Sequence, residues 1–255
     1  MNPRMVSLSK AVRYVLMAAG LAALMLNGPV GTAVAALPEP ISVAKITPSS
    51  GQVVGVGMPV TVTFTRPVAN RDLVEHTLAF SSTKAPEGKF SWLDDNTMQF
   101  TPSTYWPAHS TVKVSIGGVK QTFETGAATL GVASISAHTF TVSIDGQVMR
   151  TMPASMGKPK HPTPIGSFTA LEKQNPVVMD SRTIGIPLND PEGYKLTVYW
   201  ATRVTWGGVY VHAAPWSVAQ QGSSNVSHGC INLSTDNARW YYNQVNIGDP
   251  IVVKA

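Results

Sequence analysis

One cysteine stands in the 255 residues, Cys230, so no internal disulfide can hold this chain together. Charge is also scarce. Charged residues make up 13% of the sequence, against 44% hydrophobic. A chain this apolar is long enough to bury one large core or two modest ones. The net charge of +5 is misleading, because the first 36 residues contribute Arg4, Lys10 and Arg13 and no acid. The remainder carries 16 bases against 14 acids with no Lys/Arg cluster, which argues against nucleic-acid binding. No repeat or low-complexity segment stands out.

The leader has a definite order. Basic residues come first, then the apolar run Tyr14 to Leu26, then G-T-A-V-A-A at Gly31 to Ala36. This is the order of a secretory signal with an A-x-A-like site at Ala33/Ala35, cut after Ala35 or Ala36. The competing reading is an uncleaved membrane anchor. Residues 1–36 are accordingly expected to export the protein to the periplasm or cell wall, and any membrane contact is expected only through this segment. With no cysteine in the leader, a lipid-anchored lipoprotein is excluded.

Residues 37–126 read as an all-β module. Short alternating runs, Val60 to Phe64, Lys89 to Trp92, Thr97 to Phe100, Thr111 to Ile116 and Gln121 to Thr125, are separated by Pro, Gly and Asp-Asn turns. Such spacing predicts an immunoglobulin-like β-sandwich. His76 and His109 are lone histidines there, read as surface or packing residues. Residues 127–255 form a second, mainly β module. Asp145-Gly146 between two alternating runs predicts a hairpin, because a type I′ turn needs positive φ at both positions. T-P-I-G-S-F at Thr163 to Phe168 is a turn into a strand, and further strands are expected near Lys195 to Tyr199 and Gly208 to His212. Ser234 caps the one expected helix, with Asp236 in its first turn and Ala238, Trp240 and Tyr241 along it. Gly248-Asp249-Pro250 ends that region, and I-V-V closes as a last strand.

Chemistry concentrates at S-H-G-C-I-N, Ser227 to Asn232. A thiol needs help to become a thiolate, and a nearby histidine or helix N-terminus lowers its pKa. His228 lies two residues away. His212, at the end of G-V-Y-V-H-A, is returned towards the cysteine by a polar loop. Either imidazole can take the thiol proton and later protonate a leaving amine. Gly229 lets backbone N–H groups approach a developing oxyanion. Two other readings stay open at this level. Cys230 is a buried small hydrophobe in a non-catalytic protein. Or His212, His228 and Cys230 are ligands of a metal. His-before-Cys order argues against papain-like hydrolases, and no sortase-like segment is found.

The stretch His212 to Leu233, with its histidine, spacer and S-H-G-C, resembles the signature of L,D-transpeptidases with a YkuD-type catalytic domain. T-P-I-G-S-F resembles a second, weaker motif. The N-terminal immunoglobulin-like module is similar to that of the mycobacterial enzymes. The resemblance implies a β-rich catalytic domain with a helix after the cysteine and no cofactor or metal. It further implies peptidoglycan as substrate, a tetrapeptide stem as donor, and a diaminopimelate amine of another stem as acceptor. Carbapenems are expected to acylate the same cysteine. On this match Cys230 is the nucleophile, His212 the acid/base, and the Ala213 backbone carbonyl the group that orients the imidazole. Ala213 stands where close relatives have serine. Ser227, His228 and Gly229 shape the oxyanion turn. Tyr194 lies on a lid, Gly207 and Gly208 offer bare backbone to a peptide, and Asn232, Met179 and Trp216 contact substrate.

Overall fold

The computed structural model describes residues 42–82 and 84–255. The leader expectations lie outside them. Among the described residues no helix is long and apolar enough to cross a membrane.

The chain is mainly β. Its first part packs two four-stranded sheets face to face, as immunoglobulin-like sandwiches do. One sheet runs in the order Val43–Thr47, Val60–Phe64, Thr97–Pro102, Gly88–Trp92. The other runs Val53–Val54, Val119–Thr125, Thr111–Ile116, Ala79–Ser81. Alternation does the work. In V-T-V-T-F, Val60, Val62 and Phe64 turn inward and are buried, while Thr61 and Thr63 sit nearer the surface. Trp106 fills the centre, edge-on to Phe123 at 5.7 Å. Its indole N–H donates to the Met58 carbonyl at 2.8 Å, which satisfies the one polar atom that burial would strand. A short helix, Arg71–Glu75, was not anticipated. Its signal is local, since the Asn70 side chain accepts from the Leu73 N–H. His76 sits at its end and its ring bonds only the Asp72 carbonyl. His109 is exposed and pairs with Asp145 at 2.9 Å.

The second part contains a five-stranded sheet in the order Gln147–Pro153, Thr139–Ile144, Thr129–Ser134, Pro250–Lys254, Gly166–Thr169. A four-stranded sheet follows, in the order Glu172–Gln174, Ala201–Arg203, Tyr210–Ala213, Ile231–Leu233. The hairpin turn is as expected, with φ of 50° at Asp145 and 83° at Gly146. The helix Thr235–Gln244 is capped by Ser234, whose Oγ accepts from the Asn237 N–H. Its buried residues Ala238 and Tyr241 face the core shared with Phe140, Val211 and Leu233. Tyr241 meets Phe140 edge-to-face at 4.9 Å. Burying a side chain the size of Phe140 is worth about 2–3 kcal/mol.

Backbone joins the two parts. The Gly55 N–H donates to Ile247 O at 2.8 Å and the Gly57 N–H to Gly248 O at 2.9 Å. Asp249 is buried at this junction. Its Oδ2 accepts from the Asn246 N–H at 2.7 Å, while Oδ1 has no partner. Burial pushes this carboxyl up to about 7, opposed by the Asn246 and Val56 amides and by Lys173. A raised acid pKa means that the folded state binds more protons than the unfolded chain between the ordinary carboxylate value and about 7. Its contribution to stability therefore falls as pH rises through that window. Asp249→Asn is expected to flatten this slope, gaining up to roughly 4 kcal/mol relative to wild type as pH rises through the window. The measurement is urea unfolding of both proteins at a mildly acidic and a mildly alkaline pH. An equal stability difference at the two pH values contradicts the assignment.

Candidate active site

The strand Tyr210–Ala213 carries His212 as its third residue and lies parallel to Ile231–Leu233, with His212 opposite Asn232. Cys230 immediately precedes the second strand, so the β-ladder brings cysteine and histidine to one end of the sheet. Both line a cleft of about 180 Å³, together with Met179, Tyr194, Leu196, Trp216, Ser227, His228 and Asn232.

His212 is 3% exposed. Its Nδ1 lies 2.9 Å from the Ala213 carbonyl oxygen. A carbonyl only accepts, so Nδ1 carries the proton and Nε2 holds the lone pair. Burial lowers the pKa to about 4, partly offset by that hydrogen bond. The imidazole is therefore neutral near physiological pH and free to accept a proton through Nε2. His228 is committed elsewhere. Its Nε2 contacts Glu192 Oε2 at 2.7 Å, so the geometry favours His212 as base.

The turn that presents the sulfur is built from its own residues. Ser227 Oγ donates to the Cys230 carbonyl at 2.7 Å and accepts from the Gly229 N–H at 3.1 Å. Gly229 has φ of +118°, a conformation that a Cβ would strain. Thr163 of T-P-I-G donates to the Gly229 carbonyl at 2.9 Å and accepts from the Gly157 N–H at 2.8 Å. The weak second motif thus braces the cysteine turn from beneath, a role the sequence reading did not assign.

One expectation is corrected. The cysteine pKa is not lowered: burial pushes the Cys230 thiol up to about 11. The helix that was to help begins at Thr235, beyond the intervening strand. Helix-dipole effects fade within a turn. The thiol hydrogen bond goes to the Gly208 carbonyl, at 3.6 Å. The resting pair is thiol and neutral imidazole rather than thiolate and imidazolium.

Tyr194 is half-buried, 5.0 Å ring to ring from His228. Burial, then the charges of Cys230 and Asp180, raise its pKa, so the phenol stays protonated. Its N–H is held by Ser181 Oγ. Met179 lines the cleft, and Trp216 does so while 53% exposed, 6.0 Å from the His212 ring. Asn232 is buried. Its amide donates to Ser217 Oγ at 3.2 Å and its Oδ1 has no partner. Gly207 and Gly208 line a second, adjoining cleft rather than the cysteine's own, and Met179 and Tyr194 form the wall between the two. Gly208 has φ of +96°. Sequence reasoning missed a polar cluster at the cleft mouth, where Glu192 bridges Lys158 and His228. Nothing in E-G-Y-K or M-G-K-P-K forecasts that meeting, because it depends on two loops folding together.

The chain thus pairs an immunoglobulin-like sandwich with a β-rich domain in which a buried histidine and a cysteine share one cleft. Residues 128–253 match the L,D-transpeptidase catalytic domain, and residues 26–120 match a bacterial Ig domain. L,D-transpeptidase 1 of Mycobacterium tuberculosis is 54% identical over 247 residues, covering 96% of this chain and 98% of that protein. An L,D-transpeptidase structure from Mycobacterium smegmatis superposes with a TM-score of 0.81 at 64% identity, over 85% of this chain and 100% of the other. LdtMt1 in complex with imipenem gives 0.80 at 58% identity, over 84% and 99%. The chain belongs to the L,D-transpeptidase family.

Proposed function

We propose that this L,D-transpeptidase forms 3→3 cross-links between peptidoglycan stem peptides through a thioester on Cys230. The observation that carries the proposal is the placement of Cys230 and His212 in one cleft, with His212 Nδ1 engaged by the Ala213 carbonyl so that Nε2 is left as the base. As sulfur attacks the carbonyl of the third stem residue, its proton passes to His212 Nε2. The C–S bond forms while the carbonyl π pair moves onto oxygen. Collapse of this intermediate expels the terminal D-alanine, whose amine takes the proton from the imidazolium. The amine of a second stem then attacks the thioester, giving up a proton to His212, and the thiol is regenerated. The oxyanion is stabilised by backbone amides of the 228–230 turn and by the Tyr194 phenol. The Gly229 amide is already engaged by Ser227, so this burden falls on its neighbours.

Because both partners are neutral at rest, proton transfer accompanies attack rather than preceding it. A pre-formed ion pair would carry the desolvation penalty of the buried His212. Carbapenems acylate the same sulfur in this proposal, in keeping with the imipenem complex of LdtMt1. The leader exports the enzyme to the periplasm or cell wall.

The test is incubation with a disaccharide-tetrapeptide, followed by mass spectrometry of protein and products. An acyl-enzyme and a dimer lacking one D-alanine are expected. Tripeptide without dimer would make hydrolysis the principal activity, and absence of any adduct on folded protein would overturn the reading.

A further inference from the structure

The polar cluster at the cleft mouth holds a feature that acyl transfer does not use. Glu192 comes from the segment leading into the lid residue Tyr194, His228 from the cysteine turn, and His161 from the loop before Thr163. One donor atom from each lies within 4.8 Å of the other two. Glu192 Oε2 and His228 Nε2 are already 2.7 Å apart. His161 stacks against His228 at 5.0 Å, and its Nε2 is buried with no hydrogen-bond partner. A buried ring nitrogen without a partner is unfavourable, and it calls for a ligand.

We propose that His161, Glu192 and His228 form a binding site for a divalent transition metal of the zinc class. Two imidazoles and a carboxylate are a known zinc donor set, with a fourth position left to water. Tetrahedral bonds of ~2 Å place donor atoms roughly 3.3 Å apart. The Glu192–His228 pair is close enough already, and His161 needs to approach by about 1.5 Å. His228 must move its proton from Nε2 to Nδ1, so that Nε2 presents a lone pair. Lys158 is the built-in competitor, because its ammonium sits on the same Glu192 carboxylate. Its side chain is 24% exposed, and a partly exposed Lys–Glu pair is weak, so it can swing into solvent. The site draws on three separate segments, and a bound ion would bolt the Tyr194 segment to the cysteine turn. The Glu192–His228 contact already joins those two segments, so the ion's added effect is to draw His161 and its loop onto them.

The experiment is equilibrium dialysis of the protein against zinc chloride with metal analysis, without substrate, so that its outcome is independent of the proposed reaction. One zinc per chain is expected, with affinity in the micromolar range. His161→Ala and Glu192→Gln should each weaken binding by about tenfold or more. Lys158→Met should tighten it, because it removes the competitor and leaves every donor in place. Cys230→Ala should bind as wild type does. Zinc lost in Cys230→Ala but kept in His161→Ala would place the ion on the thiol instead and overturn the proposal. So would unchanged or weaker binding in folded Lys158→Met, or no saturable binding in wild type.

Discussion

Cys230→Ala is expected to abolish covalent acylation by imipenem and to lower transpeptidation by about 10³-fold or more, with the fold intact. A nucleophile's removal leaves only binding and positioning to act, and no second thiol exists to substitute. His212→Gln is expected to cost nearly as much at neutral pH, because the sulfur is then a thiol without a base. The two differ in their pH dependence. With Cys230 held near 11 and His212 near 4, the wild-type resting state is constant between those values. Acylation falls below about 4 as the imidazole protonates. In His212→Gln it climbs only on the alkaline side, as thiolate forms directly. Stopped-flow acylation across pH measures both, and the ultraviolet absorbance of thiolate reports ionisation independently. A wild-type protein with thiolate absorbance at neutral pH, lost in Cys230→Ala, contradicts the neutral-pair description.

Gly55→Ala should destabilise the protein by about 3 kcal/mol or more. A Cβ at Gly55 would stand 2.0 Å from the Asp249 nitrogen and 2.3 Å from the Gly248 carbonyl carbon. Both obstacles are backbone, and neither can rotate away as a flexible side chain can. Relief requires breaking the Gly55–Ile247 and Gly57–Gly248 hydrogen bonds that join the immunoglobulin-like part to the catalytic part. The comparison is Gly118→Ala, where nothing lies within 4 Å and φ is +80°. That change costs only the left-handed strain of about 1–2 kcal/mol. Denaturant unfolding of the two variants separates the effects, and equal midpoints would mean that the junction yields easily.

Much of this architecture was legible in the sequence, and unevenly so. Val60–Phe64 and Thr111–Ile116 were readable because one face meets a core and the other meets water, so the alternation is written residue by residue. Asp145-Gly146 was readable because few dipeptides suit two positive φ angles. Val43–Thr47, Ala79–Ser81 and Ala201–Arg203 were not called, being short or lacking a clear two-residue period. The S-H-G-C turn was legible as chemistry, since an isolated thiol beside histidine and glycine has few uses. Its ionisation was not. Sequence proximity to a helix suggested a lowered pKa, whereas burial, a property of the whole domain, raises it. Thr163 and Glu192 were invisible as site residues for the same reason. Each acts through a partner at least 34 positions away, Gly229 or Lys158.

The protonated sulfur also bears on how long a molecule of this protein keeps working. Thiolates, not thiols, attack peroxides and disulfides. With its pKa raised by burial, Cys230 carries less thiolate at neutral pH than an ordinary cysteine. Passage to sulfenic acid, and from there to the irreversible sulfinic and sulfonic forms, is slowed accordingly. The partly buried cleft therefore works as a chemical preservative for its one sulfur, keeping it protonated until a carbonyl is seated beside His212.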